Sequence, residues 1–516
     1  MVWQPEIEEL EHRKKLAEQM GGEENIARHH ARGKLTVRER LAVFADPESF
    51  EEIGALTGTA TYDSEQKLET FSPQAFVVGV CSLDGRKVIV NGGDFTIRGG
   101  SGGYGPKGNY AEEMAEEWRL PYVRLLDASG GSVRQFEAIG RTYAISNVIG
   151  VQGGRLLGMV PVASAVMGSV AGIPAIEACI SHFSVMVKGT SQVFPGGPPV
   201  VKAALGVDIT KEELGDERTQ VRKGGVIDNL AENEEEALGM IRQFLSYLPS
   251  SVWEMPPRVE SADDPERRDE ELLSAIPRDK RKLYDPHAIL DHVMDRDSFF
   301  EIGALYGRSR IIGLARLNGY PVGVMINNPK HQGAAMNMAA GLKVVRFLKL
   351  CDTFHLPMVY LADEPGFMVG LEAQKQGIVR AGARLVHVTG RSRMPWITIV
   401  IRQLYGVAGQ LNLRPSGMYK RYAWPSGNWG SMHIQGGTYA AYRREIDNAP
   451  DPDAKLAEIE NRLQALASPF RTAETFSIED IIDPRDTRKL LVDFVDMAQR
   501  VVQSQLGPTM VPVYEP

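Results

Sequence analysis

A chain of 516 residues is too long for one hydrophobic core, so two or more large domains are expected. An apolar share of 43%, a charged share of 24% and a net charge of −8 describe an ordinary globular protein. They exclude a nucleic-acid scaffold, which needs a basic face, while leaving room for a local basic site that takes an anionic ligand.

Met1 to Met20 has a charged, helical pattern without an apolar h-region, and no run of 18 apolar residues follows anywhere. Neither a secretory signal nor a membrane span is expected, and the expected location is the cytoplasm, with a mature matrix protein as the alternative. Val77–Leu83 and Lys87–Asn91 predict two strands joined at Asp84-Gly85, a hairpin turn. Residues 110–119 predict an amphipathic helix, and Pro121–Leu126 a buried strand ending in Asp127-Ala-Ser-Gly-Gly131. Val160–Val166 predicts another strand that ends in a glycine loop. Residues 256–282, rich in Asp, Glu, Arg and Pro, are expected to be a solvated linker between a domain 1–255 and a domain 283–516. Beyond it, Lys343–His355 predicts a helix, Pro357–Leu361 a strand, Asp363-Glu-Pro-Gly366 a turn, and Trp396–Ile401 a further strand. Strand, glycine loop and helix in alternation indicate an α/β fold with functional loops at strand ends.

The two halves repeat each other about 240 residues apart, far too long a period for a solenoid. Ser49-Phe-Glu-Glu-Ile-Gly-Ala-Leu56 returns as Ser298-Phe-Phe-Glu-Ile-Gly-Ala-Leu305, and Val78-Gly79…Asp84-Gly85 as Ile312-Gly313…Asn318-Gly319. Leu120-Pro121…Asp127…Gly130 returns as Leu356-Pro357…Asp363…Gly366, and Val160-Pro161…Gly172 as Met394-Pro395…Gly406. Each copy is therefore a whole domain.

The first half has three glycine-rich segments: Gly92-Gly93 with Gly99–Gly105, Ser129-Gly130-Gly131, and Ala171-Gly172-Ile173. None carries GxxxxGK[ST], or GxGxxG between a strand and a helix, so nucleotide phosphate binding lacks support. Either they are ordinary turns, or they present free backbone N–H groups to an oxyanion that develops during reaction. No Ser/His/Asp order, HExxH or paired-carboxylate motif occurs among the ten scattered histidines, and His29-His30 falls in a charged segment expected at the surface. Cys81, Cys179 and Cys351 lie far apart without CxxC spacing, so no metal site is expected. Chemistry without a dedicated side-chain base fits an enolate formed on a thioester, with backbone donors holding its oxygen. Arg and Lys at 32–40 could meet the phosphates of an anionic ligand or simply line a solvated helix. His433 and Trp429 could line a pocket or pack, and Phe367 reads as packing.

A set of segments resembles one known family. These are Ala31-Arg-Gly-Lys-Leu-Thr-Val-Arg-Glu-Arg40, Gly93-Asp-Phe-Thr-Ile-Arg-Gly-Gly100, Asp127-Ala-Ser-Gly-Gly131, Thr210-Lys-Glu-Glu-Leu-Gly215 and Asn233-Glu-Glu-Glu-Ala-Leu238 in the first half. The second half adds Asp363-Glu-Pro-Gly-Phe367, Gly377-Ile-Val-Arg-Ala-Gly-Ala383, Ala423-Trp-Pro425 and Ile482-Asp-Pro-Arg-Asp-Thr-Arg488. Together they resemble the carboxyltransferase (beta) subunits of propionyl-CoA, methylcrotonyl-CoA and related biotin-dependent acyl-CoA carboxylases. The resemblance implies two tandem crotonase-like domains, an acyl-CoA side in the first half and a biotin side in the second. It implies backbone oxyanion holes at Gly172 and Ile173 and at Val407 and Ala408, with Gly130, Gly131 and Gln410 toward the substrate. Gly366, Phe367 and Gly406 fall on the cofactor side. It further implies biotin on a separate carrier protein, a biotin carboxylase partner and a homo-hexamer built from dimers, with a related decarboxylase alpha subunit or a non-catalytic assembly paralogue as the alternative roles. The chain departs from the family at Ile173-Pro174, Val407, Gln410 and Gln220, where the family carries Gly-Ala, Gly, an acyl-selecting residue and His.

Overall fold

The computed structural model describes residues 2–101, 105–142, 149–279, 281–409 and 416–509. Two compact units divide the chain, Met1–Glu254 and Met255–Pro516.

The first unit is built on a hairpin. Phe76–Leu83 and Arg86–Gly93 pair antiparallel, and Asp84 and Gly85 close the turn with φ of 51° and 79°, as an Asp-Gly two-residue loop requires. Glu51–Ile53 adds antiparallel at the outer edge. On the other side Tyr122–Leu126, Val162–Val166, Phe183–Val187 and Asn229–Ala231 follow in parallel. Every residue of Tyr122–Leu126 and Val162–Val166 is buried, as in parallel strands covered on both faces, including Arg124, which donates to Glu112. A separate parallel pair, Ser169–Ala171 with Gln192–Phe194, stands off this sheet.

The second unit repeats the plan. Phe300–Glu301, Arg310–Leu317, Tyr320–Asn327, Met358–Glu364, Trp396–Tyr405, Tyr419–Ala423 and Asp480–Ile481 lie side by side, and Asn428–Gly430 pairs with the far end of Trp396–Tyr405. The duplication extends to atoms. A Cβ on Gly79 would meet the Phe50 ring at 2.5 Å, and one on Gly313 the Phe299 ring at 2.6 Å, so the same aromatic-on-glycine seat fixes the edge strand twice. Asp46 accepts the Asp84 and Gly85 N–H groups at 3.0 and 2.9 Å. Asp295 accepts those of Asn318 and Gly319 at 3.0 and 2.8 Å. Arg242 donates to Asp46 and the Phe44 carbonyl, and Arg488 to Asp295 and the Val293 carbonyl, so each hairpin turn is strapped to the layer behind it.

Three expectations need correction. Residues 256–282 are mostly solvated but not free of the domain: Leu272 belongs to the core of the second unit beside Tyr284 and Ile289. Arg267 caps the carbonyls of Asp291, His292 and Met294 there. Charge and proline content hid one apolar anchor and an arginine that serves backbone acceptors. The helices begin earlier than their apolar pattern, at Gly105–Trp118 and Met338–Thr353, the latter because the Asn337 side chain accepts the Ala340 N–H. Asp363 and Glu364 lie inside the strand Met358–Glu364 rather than in the turn after it, because partners satisfy both buried carboxylates.

The duplicated arginine straps differ in burial, and that sets a test. Arg488 is fully enclosed, so Arg488→Ala leaves Asp295 buried without its cation and should destabilise by about 3–5 kcal/mol. Arg242→Ala, whose partners are partly solvated, should cost markedly less. Urea unfolding of the two variants checks the order.

Candidate functional site

The three glycine-rich segments of the first half meet at one place. A Cβ on Gly100 would stand 2.6 Å from the Asp127 carbonyl oxygen and 2.7 Å from Ala128 Cα. A Cβ on Gly130 would stand 2.6 Å from the Ala171 carbonyl oxygen. The loop after Tyr122–Leu126 can thus lie backbone against backbone on the Ala171-Gly172 turn. Gly131 is exposed with open space around its Cα. Gly172 carries φ 69° and ψ −130°, a conformation open to glycine, and Ile173 begins the helix Ile173–Cys179. The positive φ sits on the glycine, so the β-branched Ile173 carries no strain from it.

Gly172 is not the donor expected of it. Its N–H is already spent on the carbonyls of Phe194 and Pro195, at 3.3 and 3.1 Å. The next donor-bearing residue past Ile173, Ala175, gives its N–H to the Gly172 carbonyl, and Pro174 has none. Ile173 N–H is the amide left without an acceptor among the described residues, beneath a side chain 37% exposed.

The second unit repeats this at Gly366 and Gly406. Gly406 has φ 62° and opens the helical turn Gly406–Gly409, in which the Val407 and Ala408 amides have no acceptor among the described residues. Val407 is 56% exposed and Ala408 is buried. A Cβ on Gly366 would stand 3.9 Å from the Tyr405 carbonyl oxygen, the counterpart of Gly130 over Ala171. The Pro365–Gly366 turn is pinned on every side. Gly366 N–H donates to Glu364 Oε1 at 3.1 Å, Met336 N–H donates to the Gly366 carbonyl at 2.9 Å, and the His433 ring nitrogen meets the Pro365 carbonyl at 2.8 Å. Phe367 packs its ring on Gly382. A cavity of about 680 Å³ lies alongside, lined by Arg402, Gln403, Tyr405, Trp424 and His433 among others.

The duplicated aspartates that end the two strands are both fully buried and held by different groups. Asp363 accepts from Tyr284 and Gln403 at 2.9 and 3.0 Å, and burial raises its pKa. Asp127 is held by Lys34 at 2.5 Å and by two Arg40 nitrogens at 3.1 Å, and Arg40 also binds Glu234 at 2.9 and 2.7 Å. Lys34 and Arg40 are therefore neither phosphate ligands nor a solvated face. They are the buried counter-charges that fix the first glycine loop. His29, expected at the surface, is only 4% exposed, with its ring nitrogen 3.0 Å from the Leu35 carbonyl. Burial, with Lys34 and Arg40 adding to it against Asp127, pushes its pKa down to about 4.

The carboxyl transferase domain family matches residues 28–506. The chain belongs to that family. It is 34% identical to the propionyl-CoA carboxylase carboxyltransferase subunit of Haloferax mediterranei over 98% of both chains. It is 30% identical to the methylmalonyl-CoA decarboxylase alpha subunit of Veillonella parvula over 96% of both. Its fold matches a transcarboxylase 12S hexamer solved with methylmalonyl-CoA and methylmalonic acid bound, at TM-score 0.87 and 28% identity, covering 99% of this chain and 97% of that one. The α/β architecture of two tandem crotonase-like domains is borne out.

In this carboxyl transferase, Gln410 lies outside the described residues. Gln220 donates to the Val193 carbonyl at 2.8 Å, and Asp228 accepts the Ser184 N–H and hydroxyl, both structural uses. Trp429 donates to Thr472 and packs in a small apolar cluster, whereas His433 does line a cavity. Among the described residues no group of three or more His, Cys, Asp or Glu is placed to hold a metal ion, and no helix is long and apolar enough to cross a membrane.

Because the folded pKa of His29 lies below the usual 6.5, its contribution to stability is fully present above pH 6.5 and is lost as pH falls toward 4. His29→Gln keeps a donor for Leu35. It should flatten the acid-side decline of the thermal unfolding midpoint relative to the unsubstituted protein, and parallel profiles would assign that decline to other groups.

Proposed function

We propose that this chain is the carboxyltransferase subunit of a biotin-dependent acyl-CoA carboxylase, moving a carboxyl group from carboxybiotin on a separate carrier to the α (or vinylogous) carbon of an acyl-CoA. One observation carries the reading: at matching places in both units a positive-φ glycine is followed by main-chain amides without acceptors among the described residues, Ile173 in the first and Val407 with Ala408 in the second. An unspent, preorganised amide stabilises an oxygen only as it becomes negative, which is what enolate formation on a thioester demands.

In the first unit the Ile173 amide holds the thioester oxygen, and the Gly130-Gly131 loop, set by Asp127, forms the wall beside it. The exposed Ile173 side chain keeps that wall apolar and sheds water from the developing charge. The residues of the second unit fit biotin's urea ring, whose carbonyl is an acceptor for the Val407 and Ala408 amides. When bound, carboxybiotin supplies the carboxyl group and a nitrogen able to take the α-proton. Gly366 and Phe367 shape the floor of that side through Tyr405 and Gly382.

The subunit works with a biotin carboxylase and a biotin carrier in the cytoplasm as a homo-hexamer. Support for assembly comes from large apolar side chains exposed on the segments bearing the glycine turns: Ile173 and Ile176 in one unit, Val369, Leu371 and Val407 in the other. The similarity to a decarboxylase alpha subunit sustains one second reading, the same site run toward carbon dioxide release.

Ile173→Pro tests the first hole. It deletes one amide hydrogen at a first helical position, where proline is tolerated, and this chain already opens another helix with Gly197-Pro198-Pro199. With carboxylase and carrier present, fixation of labelled bicarbonate into acyl-CoA should fall about 10²–10³-fold with the fold intact. Undiminished fixation would overturn the assignment of Ile173. Carbon dioxide release from a carboxyacyl-CoA without fixation would assign the decarboxylase role. Stable assembly with an active carboxyltransferase but no turnover either way would mark a non-catalytic paralogue.

A further inference from the structure

The strand Met358–Glu364 delivers a second carboxylate to the biotin-side turn, and its neighbours form a closed polar set. Arg310 Nη2 donates to Glu364 Oε2 and Arg310 Nη1 to the Tyr360 hydroxyl at 3.2 Å. The Tyr360 hydroxyl donates to Asn327 Oδ1 at 2.9 Å, and that same oxygen accepts the Asp363 N–H at 3.0 Å. Asn327 Nδ2 reaches Glu364 Oε2 at 3.4 Å, and all four side chains are completely buried. The other carboxylate oxygen, Oε1, is the acceptor of Gly366 N–H.

The fold does not need charge here. By the internal repeat, Arg310 corresponds to Phe76 and Glu364 to Ala128 of the first unit, both buried. The corresponding positions thus carry buried apolar residues once and an ion pair once. Arg310 Nε has no hydrogen-bond partner among the described residues, so the pair is imperfectly satisfied there. A buried ion pair with an orphaned donor is poor value as a stabiliser, since apolar residues of similar volume usually do as well. What the apolar pair lacks is an acceptor for the amide of the glycine turn.

We infer that Arg310 and Glu364 are positioning residues for the biotin-side turn: Arg310 fixes the Glu364 carboxylate, which turns the Gly366 amide inward and sets the floor next to Val407 and Ala408. The inference rests on the proposed function only for the identity of the ligand on that floor. With the Gly366 N–H held by Glu364, the Val407 and Ala408 amides are the donors left to meet a urea carbonyl. A turn free to flip would offer a competing donor and an uneven floor.

Three double variants of the full chain test this. Arg310→Met/Glu364→Gln keeps an acceptor for Gly366 without charge, Arg310→Met/Glu364→Leu removes it at similar volume, and Arg310→Phe/Glu364→Ala installs the pair of the first unit. Two quantities are read: amide hydrogen exchange of peptides covering 364–370 and 127–132, and KM values for biotin carrier and for acyl-CoA. In the Leu and Ala variants, exchange at 364–370 should rise at least tenfold with 127–132 unchanged. KM for the biotin carrier should rise at least tenfold, while that for acyl-CoA moves less than twofold. The Gln variant should return both to near the starting values, which a merely structural role would not produce. Unchanged exchange at 364–370, equal behaviour of the Gln and Leu variants, or both KM values moving together would overturn the inference. If the unsubstituted protein transfers no carboxyl group, the functional reading fails instead, and the exchange data alone decide whether the pair positions the turn.

Discussion

Gly130 lies so close to Ala171 that a single methylene on it would strike a carbonyl oxygen, and Gly366 stands in the corresponding place over Tyr405. In the first unit that approach of main chain to main chain shapes the proposed site, while in the second the corresponding pair stands at an ordinary 3.9 Å. A strand-end loop lies against a positive-φ glycine in both units, and the following amides have no acceptor among the described residues. No ionisable side chain is required at that point. The charged groups nearby are spent on holding the loops still.

The two units hold those loops in different ways. In the first, Lys34 and Arg40 come in from outside the sheet to neutralise Asp127, with Glu234 holding Arg40, so the loop is fixed from behind by ion pairs. In the second, Asp363 is satisfied by Tyr284 and Gln403, and the next residue adds its own carboxylate, which binds the turn directly. Duplication preserved the backbone plan while the buried polar groups around it diverged. A backbone plan tolerates this because its hydrogen bonds run along strands and turns and not through particular side chains. The same separation explains how Ile173 and Val407 can follow their glycines: the glycine absorbs the unusual φ, and the residue after it enters a helical turn open to any side chain.

Much of this was legible from residues alone because it is local or repeated. Asp84-Gly85 specified a hairpin, alternating strand and glycine loop specified the α/β class, and the internal repeat paired Gly130 with Gly366 and Gly172 with Gly406. The motifs between Ala31 and Arg488 were sufficient to recognise the family, whose model matches residues 28–506. What failed were inferences about environment. Lys34, Arg40 and His29 sit in a charged stretch that reads as solvated, yet all three are buried, because their partners Asp127 and Glu234 lie up to about 200 residues away. Residues 256–282 read as a linker because one buried leucine is invisible among so many charges.

The sequence by itself determined which elements form, that they form twice, and which glycines mark the candidate loops, since turn chemistry and hydrophobic period act over a few residues. Only the tertiary structure decided which amides remain free. Gly172 and Ile173 are neighbours with equal claims in sequence, and the choice between them turns on two carbonyls at Phe194 and Pro195 that the fold carries to the Gly172 N–H. The buried pairs around Asp127 and Glu364 were decided the same way, because a charge finds its partner through space and sequence spacing says nothing about which one the fold will bring.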